Sequence, residues 1–308
     1  MLSPPMIVQY LQRRAPKMAG IILSVAGYSV FSVQDAMVKW LVASHAVPQI
    51  LFMRSATIVL LCLALGRRAL LTQVLASSNK LPLLMRGAFI LLAWFCYYNA
   101  ARHLQLAELV TVYFAAPMFV IVLSVLVLHE KVRWPRWAGV SLGFAGVVIA
   151  CQPGRLGLSF PIALTLLSAF VWAYANILIR QISRFETTMM QMLFSNGAFT
   201  LVCGLSLPWV WTPTAPGEYL LMMALGFTGA AGQFLLFEGF RLAAASLVAP
   251  FEYVTLLWAF CLSYVIWGDI PHAAVFLGAG IIAASGLLVM LGEWLPRREE
   301  TAAVEPGP

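Results

Sequence analysis

Residues Leu106–Lys131 read LAELVTVYFAAPMFVIVLSVLVLHEK, and between Glu108 and Glu130 no charged side chain interrupts them. A run of this length suits an α-helix crossing about 30 Å of hydrocarbon. Inside lipid every backbone polar group must be satisfied by the segment itself or by a closed barrel. The apolar residues here are contiguous and do not alternate as barrel strands do. The stretch therefore predicts a membrane-crossing helix over 106–128, with Pro117 inside it.

The same pattern recurs along the chain. Blocks of similar length occupy 18–41, 48–65, 82–101, 106–128, 135–151, 160–180, 187–208, 218–240, 246–267 and 272–294. Short links between them carry the breakers, including Pro82, Pro135, Pro153-Gly154, Pro213 and Pro271. Only Gly66–Leu81 leaves room for a further element, an interfacial helix at Leu70–Ala76. Of 308 residues, 62% are apolar and 10% charged, against roughly 45–50% and about 25% in soluble domains. So few charges cannot cover a water-soluble surface. The expected fold is an all-α integral membrane protein of ten transmembrane helices. The run from Met18 to Leu41 carries Asp35 and Lys39 and is too long for a cleaved signal peptide.

The net charge of +7 does not imply a nucleic-acid partner, because the basic residues cluster between apolar blocks as topology signals do. With the N-terminus inside, 15 Lys and Arg residues fall on the inner side and two, Arg102 and Arg155, on the outer. Lys39 and Arg54 remain within spans. That asymmetry predicts a bacterial-type plasma membrane protein with cytoplasmic tails at 1–17 and 295–308. The cysteines Cys62, Cys96, Cys151, Cys203 and Cys261 lie in or beside apolar blocks without metal or disulfide spacing, and read as small hydrophobes.

A shift of 139 residues aligns the chain with itself. Gly87 meets Gly226, Phe95 meets Phe234, Arg102 meets Arg241, Ser124 meets Ser263, Glu130 meets Asp269 and Gly139 meets Gly278. Five spans per half is an odd number, so the second half enters the membrane upside down. Inverted repeats characterise secondary transporters, whose sites lie near the midplane between the halves.

Leu106–Gly154 combines in-span Pro117, His129-Glu130-Lys131, Gly139, Gly143, Gly146 and Gln152-Pro153-Gly154. Ala249-Pro250-Phe251-Glu252-Tyr253 and Gly268-Asp269 follow in the second half. These motifs resemble the EamA repeats of the drug/metabolite transporter superfamily, nearest its bacterial amino-acid exporter group. His129 stands where that family usually has glycine, and Asp269 where it usually has glutamate. The resemblance implies two inverted five-helix repeats, 18–151 and 160–294, around a central cavity. It also implies export of small metabolites, amino acids with aromatic ones included, with vitamin or nucleoside-like import as the alternative.

Charged groups inside lipid are costly, by about 2.5–3.5 kcal/mol each on insertion scales. Asp35 and Lys39, four residues apart on the first span, share a face, and Arg54 lies at similar depth on the second. They read either as a structural ion pair with a snorkelling lysine or as receptors for a zwitterion, Asp35 for an ammonium and Arg54 for a carboxylate. Glu252 follows Pro250 within the ninth span as a hydrogen-bond hub or gating group. Glu108 and Glu238 lie near span ends and read as snorkelling.

Mid-span aromatics supply candidate cavity walls: Trp94, Tyr97 and Tyr98 beside Asn99, Trp172 beside Asn176, and Tyr253 with Trp258. Tyr113 and Gln233 join this set, and Gln34, Gln191 and Asn196 add neutral polar groups at depth. Trp40, Trp134, Trp137, Trp209, Trp211, Trp267 and Trp294 fit an interfacial belt. The glycines of spans five and ten permit close helix packing. No cofactor, metal site or nucleotide-binding loop is expected, and the four histidines sit outside span centres, which disfavours an enzyme. One inverted pair of unlike halves does not suit a channel. The expected partners are a small-molecule substrate and the bilayer, with the chain a monomer.

Overall fold

In the computed structural model the described residues are 16–77, 80–129, 134–151, 159–182, 187–242 and 249–294. They form helices joined by short links, with no strand among them. The helices are α1 (Pro16–Leu41), α2 (Val47–Ala76), α3 (Lys80–Ala101), α4 (Leu106–Tyr113), α5 (Ala115–Leu128) and α6 (Trp134–Cys151). They continue with α7 (Phe160–Ile182), α8 (Thr188–Val210), α9 (Pro216–Leu242), α10 (Val254–Trp267) and α11 (Ala273–Trp294). A 3₁₀ turn at Ala249–Tyr253 leads into α10. Among the described residues, six helical segments are long and apolar enough to cross a membrane, and four shorter apolar helices accompany them. Leu60, Leu126, Leu205, Phe234, Val265 and Leu277 form part of an exposed apolar exterior. In water so large an apolar surface would drive association.

Two elements differ from the sequence expectation. The separate helix expected at Leu70–Ala76 is instead the last part of α2, which runs unbroken for 30 residues. No proline follows Pro48 in α2, and Gly66 is held against Leu70 and Met189, so nothing ends the helix there. The fourth block, expected as one helix, divides at Phe114 into α4 and α5. Pro117 has no N–H to give the carbonyl of Tyr113 four residues earlier, which relaxes the helix at that point. The terminal tails from 1 to 15 and from 295 to 308, together with Glu130, Lys131, Gln152-Pro153-Gly154 and Arg155, lie outside the described residues.

Helix packing follows a reciprocal scheme. α1 lies along α9, and α3 along α7; α2 pairs with α8, and α6 with α11. α5 rests on α7, and α10 on α1 and α4. At the α6–α11 crossing the backbones nearly touch: a Cβ at Gly146 would come 2.9 Å from the carbonyl oxygen of Gly278. Small residues permit that approach, and dispersion between the two surfaces then holds the pair.

The largest buried cluster gathers where α1, α2, α3, α4 and α10 end together. Leu41, Ile50, Leu51, Tyr98, Ala100, Leu106 and Leu109 are all fully enclosed there. Polar contacts close the same end. Gln49 bonds Thr212 and Thr214 across the link before α9, and Lys39 Nζ donates to the Leu104 carbonyl at 2.6 Å. Trp40 and Trp267 meet with ring centroids 6.5 Å apart.

Candidate functional site

Below that closed end, α1, α2 and α3 bring three expected residues together. Arg54 is 1% exposed, and its guanidinium lies over the ring of Trp94 at 4.8 Å. Nε and Nη2 of Arg54 reach no protein acceptor. A desolvated cation–π contact is worth about 2 kcal/mol, whereas burying an unpaired charge costs several kcal/mol even after relaxation. The ring alone does not balance Arg54.

Asp35 does not neutralise it. The two are close enough for their charges to interact, and Asp35 accepts a hydrogen bond from the Tyr97 hydroxyl, but they form no ion pair. Lys39, although one turn from Asp35, points to the closed end, where it serves the Leu104 carbonyl and lies 5.5 Å from the Trp267 centroid. Lys39 thus reaches toward the helix end as a snorkelling lysine does, while Asp35 and Arg54 stay near each other without a direct ion pair.

Aromatic rings surround the charges. Trp94 makes edge contacts with Tyr97, Tyr98 and Trp172 at centroid distances of 6.2, 5.5 and 6.1 Å. Tyr97 packs against Tyr113 at 5.1 Å. Tyr98 is fully buried with its hydroxyl unpaired. Trp172 comes from α7, so both halves of the chain contribute to this wall.

A second cluster sits where the two irregular segments meet. Phe114, at the break between α4 and α5, stacks on Tyr253, at the end of the 3₁₀ turn, with centroids 5.4 Å apart and planes 17° apart. The residues stand 139 positions apart, the repeat shift. Glu252 lies within electrostatic reach of Tyr28 and Tyr113, and Tyr253 hydrogen-bonds Ser285. Tyr113 also feels the charge of Asp35, so it links the two clusters.

Other expected residues lie apart. Asn99 donates to the Phe95 carbonyl of its own helix at 2.7 Å. Trp258 is 39% exposed and donates to Ser29 at 2.9 Å. Gln233 is half-buried on α9, one turn beyond Gly229. Asn176 belongs to α7, and its side chain falls outside the described residues. Tyr28, Phe114 and Gly229 were not singled out by sequence reasoning. The repeat shift could have found Phe114, since it maps directly onto Tyr253. A glycine beside a buried arginine leaves no such mark.

The profile of the EamA-like transporter family matches residues 18–151 and again residues 155–291. A pseudopaline exporter of Pseudomonas aeruginosa is 29% identical, over 87% of this chain and 94% of its own. An S-adenosylmethionine uptake transporter of Rickettsia prowazekii is 28% identical, over 85% and 89%. A riboflavin transporter of Vibrio cholerae is 28% identical over 60% and 62%. A solved crystal structure superposes with a TM-score of 0.63 over 93% of this chain and 99% of its own, at 19% identity, a likeness of fold.

Proposed function

Because this chain belongs to the EamA-like transporter family, a family of multi-pass membrane transporters, we propose that it is a secondary exporter of amino acids, aromatic ones included. The observation that carries this reading is the pairing of Arg54 with Asp35. Opposite charges stand within electrostatic reach of each other beside an aromatic wall, without a direct ion pair. An amino acid has the complementary ends, and its side chain suits rings such as Trp94 and Trp172. The relatives named above move chemically unlike molecules in both directions, so the substrate reading rests on residues of this chain.

Ten membrane-crossing helices in two inverted five-helix repeats, 18–151 and 160–294, complete the proposal. Two observations support it. The family profile matches twice in succession. Under the 139-residue shift the packing of α1 with α9 maps onto that of α7 with α3, while the α2–α8 and α6–α11 pairs map onto themselves. In this reading the halves rock about the Phe114–Tyr253 stack, and the packed end faces outward in a state closed to the periplasm.

The test is solute counterflow in proteoliposomes, with labelled phenylalanine, leucine, riboflavin and S-adenosylmethionine offered separately. The proposal expects accumulation of the amino acids. It also expects the double variant Asp35→Arg with Arg54→Asp to reach the membrane at wild-type abundance yet lose at least tenfold in flux. Amino-acid flux absent while riboflavin or S-adenosylmethionine accumulates would overturn the substrate reading.

A further inference from the structure

Resting on the transporter reading and its inverted repeats, a second site can be assigned at Glu252, which the solute site leaves unused. The 139-residue shift maps Tyr113 onto Glu252 and Phe114 onto Tyr253. Both pairs meet in space. Phe114 stacks on Tyr253 with centroids 5.4 Å apart, and the Tyr113 phenol lies within electrostatic reach of Glu252. A position and its repeat equivalent can touch only beside the axis that relates the two halves. In inverted repeats that axis lies in the membrane plane, where transporters bind their solutes and coupling ions. The second half thus carries a carboxyl at the point the halves share, where the first half carries a phenol.

The surroundings of that carboxyl set it apart. Among the described residues Glu252 has no ion pair and no basic group within electrostatic reach. The titratable groups facing it are Tyr28 of α1, Tyr113 of α4 and its own neighbour Tyr253. α10 carries no charged residue, and α11 contributes the Ser285 hydroxyl, which is bonded to Tyr253. A carboxylate with no cation beside it is costly at membrane depth. Glu252 is nonetheless half-buried rather than sealed, as are Asp35 and Tyr113. An unmatched carboxyl that small molecules can still touch suits a group that takes a proton and gives it up again. Asp35 differs, because Tyr97 donates to it and Arg54 lies near.

We propose that Glu252 carries the coupling proton of the exporter, one proton entering the cell for each solute that leaves. With the cavity open outward, a proton from outside joins one carboxylate oxygen, and the neutral carboxyl crosses with the solute-free halves. With the cavity open inward, solute binding breaks that O–H bond and the proton passes to the cytoplasm. The solute's ammonium supplies the cause: a positive charge arriving at Asp35 favours the charged form of a carboxyl nearby. Tyr113, within reach of both Asp35 and Glu252, joins the two sites. The proton gradient is the only driving force the step requires.

The experiment counts protons released when L-phenylalanine is added to the purified protein in weakly buffered detergent, over a series of pH values. Labelled phenylalanine bound to the same sample gives the ratio, for wild type, Glu252→Gln and Glu252→Asp. Wild type should release one proton per phenylalanine bound near neutral pH, and Glu252→Gln less than a tenth of that. Glu252→Asp should still release a proton, with the pH of half-maximal release moved by half a unit or more. In proteoliposomes an acidic interior should speed phenylalanine uptake at least fivefold for wild type and leave Glu252→Gln unaffected.

Proton release retained in Glu252→Gln overturns the proposal, and so does a release midpoint in Glu252→Asp identical to that of wild type. Wild-type protein that binds and exchanges phenylalanine without releasing a proton removes the proton site and leaves the exporter reading standing. Proton release on adding riboflavin or S-adenosylmethionine but not phenylalanine, and lost in Glu252→Gln, would keep the proton site and remove the amino acid.

Discussion

His129 and Gly268 stand one repeat apart, and each closes a helix in the left-handed backbone region, at φ 54° and 68°. Glycine adopts that conformation freely, whereas a residue with a Cβ gives up roughly 1 kcal/mol. His129→Gly should therefore raise stability by about 1 kcal/mol, and Gly268→Ala should lower it by a similar amount, both read as melting midpoints. The sequence marked His129 as a departure from the family pattern, and the backbone shows why glycine suits the position. Asp35, Arg54, Trp94, Tyr97 and Trp172 were legible for another reason: a charge or a tryptophan at mid-membrane depth is expensive or misplaced unless it meets something. Which of these charges pair was not legible, because Lys39 chose a carbonyl 65 residues away over the carboxylate one turn before it. If the ring cluster walls a substrate path, alanine at Trp94, Tyr98 or Trp172 should reduce counterflow at least tenfold while membrane abundance stays within twofold of wild type. Parallel loss of both would mark the rings as packing.

Helix existence followed from apolar block length, since lipid admits no other open-chain solution for the backbone. Helix interruptions followed less well. Pro117 and Pro250 were visible, but the place where the chain yields is set by the orphaned carbonyl upstream and by what packs there, here Phe114 against Tyr253. An interior proline costs a helix about 3 kcal/mol, so keeping one at a ring stack between the halves argues for use. Pro117→Ala should restore the missing donor, extend helix through Phe114, raise the melting midpoint, and reduce transport. A variant that is more stable yet transports at the wild-type rate would show that the break has no part in the cycle.

At the scale of the whole molecule, we propose from the charge bias of the sequence that both termini lie in the cytoplasm. A C-terminal fluorescent-protein fusion should glow and a C-terminal alkaline phosphatase fusion should stay inactive; the reverse pattern would invert the assignment. In the proposed alternating-access reading, the reciprocal packing of α1 with α9 and α3 with α7 lets two halves tilt about a shared axis, and the end where Trp40 meets Trp267 parts during every cycle. Trp40→Cys with Trp267→Cys, in a chain whose five native cysteines are replaced, allows that end to be tied by a short thiol cross-linker. Counterflow of labelled phenylalanine is the most direct measurement of the account. It predicts full activity before cross-linking, near-complete loss after it, and recovery when a cleavable linker is reduced; undiminished flux through the tied protein would contradict alternating access across this end.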